Sequence, residues 1–199
     1  MELYHAGSRY FQDRFDTRRL ADRMEERIVV AEIDDEDRSF IESRDMFFMA
    51  TVDANGLPNC SYKGGAPGFV RVVDPRTIAF PNYDGNGMYL SMGNIRDRAH
   101  VGLLFIDWEQ PSRLRLNGDA RIVDDDPLLA AYPEAQFMVR VEVRQLFPNC
   151  GRYIHKLKLV ERSKFVPHAG LKTPVPDWKK QATFADALAE NDPARSSER

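Results

Sequence analysis

Apolar and polar side chains alternate along several segments between residues 46 and 146, and this alternation is the feature that most restricts the fold of the chain. In Arg113–Val123, and again in Phe137–Leu146, apolar residues fall on one face and charged residues on the other, as in half-buried strands. Few segments have a helical period, and the connections are short. The pattern predicts a mainly β fold with peripheral helices, in which about six antiparallel strands close into a small barrel.

Turn-forming residues, helix-capping residues and helical spacing predict where the hairpins and helices lie. Asp53–Gly56, built from residues that tolerate positive φ, and Asp74–Arg76, with a central proline, each predict a hairpin. Helical spacing in Asp16–Val30 predicts an amphipathic helix that covers one side of the core, and Asp34 or Asp35 is expected to cap a short helix. A further helix is expected after Gly87.

Composition changes along the chain predict three parts. Residues 1–40 are expected to form a helical appendage, and residues 41–166 the barrel domain. Residues 167–199, rich in Pro, Lys, Asp and Ala, are expected to form a partly disordered extension with one helix over Trp178–Glu190.

Several classes of protein are disfavoured by composition. The net charge of −3 does not indicate the basic surface that nucleic-acid binding requires. No run of residues approaches the roughly 20 apolar residues of a membrane span. Cys60 and Cys150 lack the spacing of a zinc site and are expected to be buried or partly buried thiols, while the four histidines show no metal-ligand spacing. No signal peptide opens the sequence, so a cytoplasmic location is expected.

Two glycine-rich loops, Gly64–Gly68 and Asp84–Gly87, suggest a site for an anion. The second loop leads into the predicted helix, where free backbone N–H groups and the positive end of the helix dipole favour a phosphate. Neither a Walker pattern nor dinucleotide spacing is present. On spacing alone, two ordinary turns explain the loops equally well.

Polar, aromatic and basic residues surround these loops and could hold a flat, phosphate-bearing ligand. Lys63 and Arg71 can supply positive charge, and Arg113 lies on the polar face of its strand, although all three could simply face solvent. The other candidates nearest the loops are Ser61, Tyr62, Asn82, Tyr83 and Asn86.

From about Phe40 to Val123 the sequence resembles the pyridoxamine 5'-phosphate oxidase-like FMN-binding split barrels. The resemblance is carried by S-Y-K-G-G-A-P-G-F-V-R-V at residues 61–72, T-I-A-F-P-N-Y-D-G-N-G at residues 77–87 and R-L-R-L-N-G at residues 113–118. It implies a six-stranded antiparallel split β-barrel and a homodimer that holds two FMN molecules at the subunit interface and acts on a small-molecule substrate.

The resemblance also implies roles for particular residues. Ser61, Tyr62 and Lys63 match the strand that touches phosphate and ring, and Asn82 and Tyr83 match the strand end beside the flavin. The remaining matches are Asn86, Gly87 and Met88, in the loop that usually brings a basic side chain to the phosphate, and Arg113, which faces the ring.

Gly87 departs from the family pattern, because Arg or Lys is common at this position. Loss of that charge-assisted hydrogen bond weakens phosphate binding by roughly 1.5–3 kcal/mol. Two consequences are open: Lys63 or Arg71 compensates, or affinity for FMN is weak.

The leading hypothesis is an FMN-binding oxidoreductase, in which the flavin performs the redox step and no catalytic side chain is identified. The alternative is a non-enzymatic module that binds or stores a flavin or another planar, haem-like cofactor. A third hypothesis is a structural dimer with a vestigial pocket.

Overall fold

The computed structural model describes residues 3–198 of the chain. They divide between Val160 and Glu161 into two compact units. The first unit contains a seven-stranded antiparallel sheet with strand order β2-β1-β5-β6-β7-β4-β3. Its strands are β1 (Met46–Val52), β2 (Pro58–Gly64), β3 (Arg71–Asp74), β4 (Thr77–Asn82), β5 (His100–Asp107), β6 (Ser112–Val123) and β7 (Phe137–Asn149).

The sheet curls strongly, so that strands far apart in its order meet around one core. Phe47 of β1 lies edge-on to Phe80 of β4, with ring centroids 5.0 Å apart, although three strands separate β1 from β4 in the sheet. Phe69 and Phe105 complete this aromatic cluster, with centroids 5.8 and 5.2 Å from that of Phe47. The predicted fold class, a mainly β split barrel, is confirmed.

The expected number of about six strands is wrong by one. β3 is only four residues long and is joined to β4 by the predicted proline turn, so it forms a short edge strand of its own. Both predicted hairpins are present, and Gly56 adopts φ +87° in the first one.

Long strands β6 and β7 pair over most of their length, with a register shift at Asn117 and Gly118. The backbones approach closely at this bulge, because a Cβ added at Gly118 would lie 2.3 Å from the Glu142 carbonyl oxygen. A larger residue would not fit between the two strands at this position, so glycine is required.

Four α-helices lie in the first unit: α1 (Ala6–Arg14), α2 (Arg18–Ile28), α3 (Asp35–Ser43) and α4 (Leu90–Asp97). The side chain of Asp34 caps α3 by accepting a hydrogen bond from the Asp37 N–H at 2.8 Å. Asn94 anchors α4 to β1, since its side-chain amide donates to the Thr51 hydroxyl at 3.0 Å. A 3₁₀ turn over Pro127–Ala131 precedes β7.

The expectation that the first amphipathic helix covers the core is wrong. α2 is present, but it buries no residue, and Leu20 and Met24 are 62% and 42% exposed. Ile33, just before α3, and Ile41, within α3, are buried in the core instead. Helix α3 therefore occupies the covering position.

The second unit contains short helical segments rather than the single helix predicted over residues 178–190. A 3₁₀ turn at Asp177–Lys180 and α5 (Ala182–Ala185) are separated by Gln181, whose backbone is extended. Trp178 packs edge-on to Phe184 across this break. A second 3₁₀ segment spans Pro193–Glu198, and the predicted disordered end includes Arg199, outside the described residues.

Candidate functional site

A cavity of about 310 Å³ lies between β2, the end of β4 and the start of α4. This volume is at the lower end of the range for small-molecule sites. The lining residues are Asn59, Cys60, Ser61, Lys63, Asn82, Tyr83, Gly85, Asn86, Gly87, Met88, Tyr89, Leu90, Ser91 and Met92.

Strand alternation accounts for three of the four β2 residues that line the cavity, and Cys60 is the fourth. Successive side chains of a strand point to opposite faces, so Asn59, Ser61 and Lys63 share one face. All three line the cavity, whereas Tyr62 does not. The Tyr62 ring packs edge-on to Phe48 at a centroid distance of 6.1 Å and is 62% exposed.

Lys63 is a partly buried cation in the cavity wall. Burial lowers the pKa of its amine, because desolvation disfavours the charged form. No carboxylate among residues 3–195, whose side chains the structure describes, forms a salt bridge with this amine. An anion bound in the cavity would stabilise the ammonium form and raise its pKa again.

The start of α4 supplies hydrogen-bond donors beside Lys63. Tyr89 provides no side-chain cap, and Leu90, Ser91 and Met92 of the first turn line the cavity. The buried Ser91 hydroxyl donates to the Ser61 hydroxyl oxygen at 3.1 Å, which ties α4 to β2. A lysine amine, two hydroxyls and a helix N-terminus form an arrangement suited to a phosphate-sized anion.

The loop before α4 adopts two left-handed backbone conformations. Gly87 has φ +76°, and Tyr89, a non-glycine residue, has φ +48° and ψ +28°. A side chain at Gly87 would have room, since a Cβ there meets nothing within 4 Å, but its backbone would be strained by about 1–2 kcal/mol. The loop geometry thus explains why this chain has glycine where the resembled family commonly has a basic residue.

Gln136, which immediately precedes β7, joins two walls of the cavity. Its side-chain oxygen accepts hydrogen bonds from the Asn82 amide at 2.9 Å and from the Tyr89 hydroxyl at 3.0 Å. The neighbouring Tyr83 is partly buried, and this burial, with a smaller effect of Tyr132, raises the pKa of Tyr83 to about 12. The phenol therefore keeps its proton at neutral pH.

Of the ten residues predicted for the site, the cavity brings together Ser61, Lys63, Asn82, Tyr83, Asn86, Gly87 and Met88. Tyr62 lies on the opposite face of β2. Arg71 is exposed and hydrogen-bonds to Tyr132. Arg113 lies beside Cys150, where its charge contributes to lowering the pKa of that thiol. Roles for these three residues in ligand binding stay predictions.

Several lining residues, and Gln136, which hydrogen-bonds to two lining residues, were not among the predicted ones. Asn59 could have been found, because it is two residues before Ser61 and shares its strand face. Ser91 could have been found as a hydroxyl in the first turn after the glycine loop. Gln136 carries no local signal, since 47 residues separate it from Tyr89.

Cys60 lines the cavity, and both Cys60 and Cys150 are exposed, so the expectation of buried or partly buried thiols is wrong. The alternation of β2 places Cys60 on the solvent side of an edge strand, and Cys150 follows the last residue of β7. Within residues 3–198, no three His, Cys, Asp or Glu side chains are grouped as a metal site needs. No helix in that range has both the length and the apolar character of a membrane span.

Comparison with known proteins gives one family and several similar structures. HupZ of Group A Streptococcus is 22% identical with a TM-score of 0.48, and the match covers 58% of this chain and 93% of HupZ. HutZ, the haem storage protein from Vibrio cholerae, is 20% identical with a TM-score of 0.43, over 58% and 93% of the two chains. An FMN-binding protein from Syntrophomonas wolfei is 12% identical with a TM-score of 0.42, and the match covers 71% of this chain and 97% of that protein.

No curated protein matches the chain. The family model described as pyridoxamine 5'-phosphate oxidase matches residues 33–158, which include every strand of the sheet and every lining residue of the cavity. The chain therefore belongs to the pyridoxamine 5'-phosphate oxidase family, as its motifs predicted.

Proposed function

We propose that the cavity binds FMN by its phosphate and that the protein is an FMN-dependent oxidoreductase acting on a small molecule. The observation that supports this most is the partly buried amine of Lys63, which has no carboxylate partner among the described residues and stands beside the N-terminus of α4. A desolvated cation in this position favours an anionic ligand. Family membership makes a flavin phosphate the first candidate.

The residues present fit such a ligand, because a cationic side chain and several hydrogen-bonding side chains line the cavity. Lys63, the hydroxyls of Ser61 and Ser91 and the first N–H groups of α4 would hold the phosphate. Asn82 and the neutral phenol of Tyr83 would provide hydrogen bonds for the polar edge of the ring system.

Bound FMN supplies hydride and electron transfer, so the protein itself needs to contribute only binding, orientation and exclusion of water. The fourteen lining residues include no carboxylate and no imidazole. We therefore infer that no carboxylate or imidazole of this cavity wall acts as a general base.

We further propose a homodimer, on the basis of the family resemblance. The cytoplasmic location expected from the sequence likewise stays a prediction. A molecular mass of about twice 22.8 kDa by light scattering would support the dimer, and a mass near 22.8 kDa at micromolar concentration would contradict it.

The first test is an FMN titration of the purified protein, followed by quenching of flavin fluorescence. Lys63→Met should weaken FMN binding by roughly ten- to a hundredfold, the effect expected for a lost charge-assisted hydrogen bond. Lys156→Met, which removes an exposed lysine outside the cavity, serves as the matched control and should leave affinity unchanged. Unchanged affinity in Lys63→Met would remove this amine from the phosphate site.

The second candidate function is non-enzymatic binding or storage of a flavin or a haem-like planar cofactor. It is favoured by the thioether sulfur atoms of Met88 and Met92 in the lining, because methionine is one of the side chains that serve as axial ligands of haem iron. Bound flavin that nicotinamide donors reduce and acceptors reoxidise would support the oxidoreductase. A Soret shift on haem titration, without flavin binding, would support storage, and binding of neither would favour a structural dimer.

A further inference from the structure

The side-chain oxygen of Gln136 connects two parts of the chain that are otherwise separated by the mouth of the cavity. It accepts one hydrogen bond from Asn82, at the end of β4, and one from Tyr89, at the end of the glycine loop. Asn82 is a buried polar residue, and its amide also donates to the Tyr83 carbonyl at 3.2 Å. The position of Gln136 is fixed as well, because its backbone N–H donates to the Asn82 carbonyl at 2.9 Å.

The loop that Tyr89 closes covers one side of the cavity. Residues 84–90 are all exposed, while residues 85–90 also line the cavity. Gly85 and Gly87 have no neighbouring atoms where a Cβ would be, so packing against these two positions does not hold the loop. The loop can therefore move away from the cavity without disturbing the core of the barrel.

The loop conformation also needs a restraint at Tyr89. Its left-handed backbone, φ +48°, is disfavoured for a residue with a side chain and persists where surrounding contacts maintain it. The hydrogen bond from the Tyr89 hydroxyl to Gln136 is such a contact, and it lies at the exposed rim of the cavity.

We propose that Gln136 is a positioning residue that latches the loop 84–89 over the cavity, and that breaking the Tyr89–Gln136 hydrogen bond is the opening step through which ligand enters and leaves. The proposed role of the latch in ligand entry and exit rests on the proposed binding of FMN. The latch itself is a property of the ligand-free chain. Gln136 acts through Tyr89 and Asn82, so we expect its substitution to change the rate at which the loop opens and the rates at which ligand enters and leaves.

The latch is tested first without ligand, by hydrogen exchange of the Met88 amide, which donates to the Asn86 side-chain oxygen, and of the Gly93 amide, which donates to the Tyr89 carbonyl. Tyr89→Phe removes only the latch hydroxyl and should accelerate this exchange about fivefold, because loss of one hydrogen bond raises the open population by that factor. Gln136→Met should accelerate it at least as much, and Gln136→Glu, which keeps the acceptor oxygen, should restore nearly wild-type exchange.

Gln145→Met is the matched control. It is the same substitution, made within β7 rather than just before it, and it also breaks a glutamine–asparagine hydrogen bond, from Asn117 at 3.1 Å, but Gln145 lies outside the cavity. Exchange of the Met88 and Gly93 amides should be unchanged in this variant. Equal acceleration in Gln145→Met and Gln136→Met, or no acceleration in Tyr89→Phe, would overturn the latch.

The ligand step is tested by stopped-flow mixing of each variant with FMN. Tyr89→Phe should raise the association and dissociation rate constants by the same factor, about fivefold, and leave Kd unchanged. A rise in the dissociation rate alone would identify Tyr89 as an ordinary ligand contact and overturn the gating role. If the wild-type protein binds no FMN, the proposed function fails, while accelerated loop exchange in Tyr89→Phe still supports the latch itself.

Discussion

Lys63 is unfavourable for the ligand-free fold for the same reason that it suits an anion. Burial lowers the pKa of the amine in the folded chain below its ordinary value of 10.5. Below the folded-state pKa both folded and unfolded chains carry the charge, and the folded chain bears the desolvation cost. As pH rises from the folded-state pKa towards 10.5, the unfolded chain binds more protons than the folded one, so this cost disappears.

We therefore expect ligand-free Lys63→Met to be more stable than the wild-type protein at neutral pH. The difference should shrink as pH rises through the folded-state pKa towards 10.5. Thermal unfolding of both proteins across this pH range measures it, with Lys156→Met as the exposed control. A destabilised Lys63→Met protein would show that the amine has a favourable partner in the ligand-free fold.

Two glycines near the site distinguish the effect of backbone strain from the effect of limited room for a side chain. Neither Gly87 nor Gly93 has an atom within 4 Å of an added Cβ, but only Gly87 has positive φ. Gly87→Ala should lower the free energy of unfolding by about 1 kcal/mol. Gly93→Ala, inside α4, should raise it by about 0.5–1 kcal/mol. Urea denaturation distinguishes them, and equal effects would refute the assignment of strain to Gly87.

At the residue scale, the sequence predicts half of the residues that line the cavity, seven of fourteen. Ser61 and Lys63 were identified because they precede a glycine loop, yet strict alternation would have placed Tyr62 on the other face and added Asn59. Gln136 could not be found in this way. Its role depends on the β4–β7 pairing, which brings residues 82 and 136 together across a long stretch of chain.

At the scale of elements, the bulge between β6 and β7 depends on one glycine. Gly118→Ala should reduce the free energy of unfolding by about 2–3 kcal/mol, since its Cβ would overlap the Glu142 carbonyl. Gly102→Ala on neighbouring β5 is the control, because its Cβ would meet only ordinary contacts at 3.5 and 3.8 Å. Similar denaturation midpoints for the two variants would contradict the close approach at the bulge.

Helix α2 shows what periodicity predicts and what it leaves open. The spacing of Leu20 and Met24 correctly indicated an amphipathic helix, because the helical period depends only on local sequence. Which surface meets the apolar face depends on competition among elements, and Ile41 of α3 is buried in the core instead. The strands were easier to predict, since each alternating segment is half-buried by its own sheet.

At the scale of the whole molecule, every residue that lines the cavity lies between positions 59 and 92, inside the first unit. We expect a chain that ends at Val160 to keep wild-type affinity for FMN, because it retains the entire wall and the whole sheet. Fluorescence titration of this shortened chain measures the affinity, and circular dichroism checks that it is folded. A folded but non-binding chain would assign part of the site to residues 161–199.

Strand β2 is an edge of the sheet, paired with β1 as its only neighbouring strand, and it also forms one wall of the cavity. A ligand held between β2, β4 and α4 would fasten this edge to elements it does not pair with. Binding to the native state at a hundred times Kd adds about 2.7 kcal/mol of stability. Resistance to proteases would then rise and fall with ligand supply, so the amount of this protein in a cell would report how much of its ligand the cell makes.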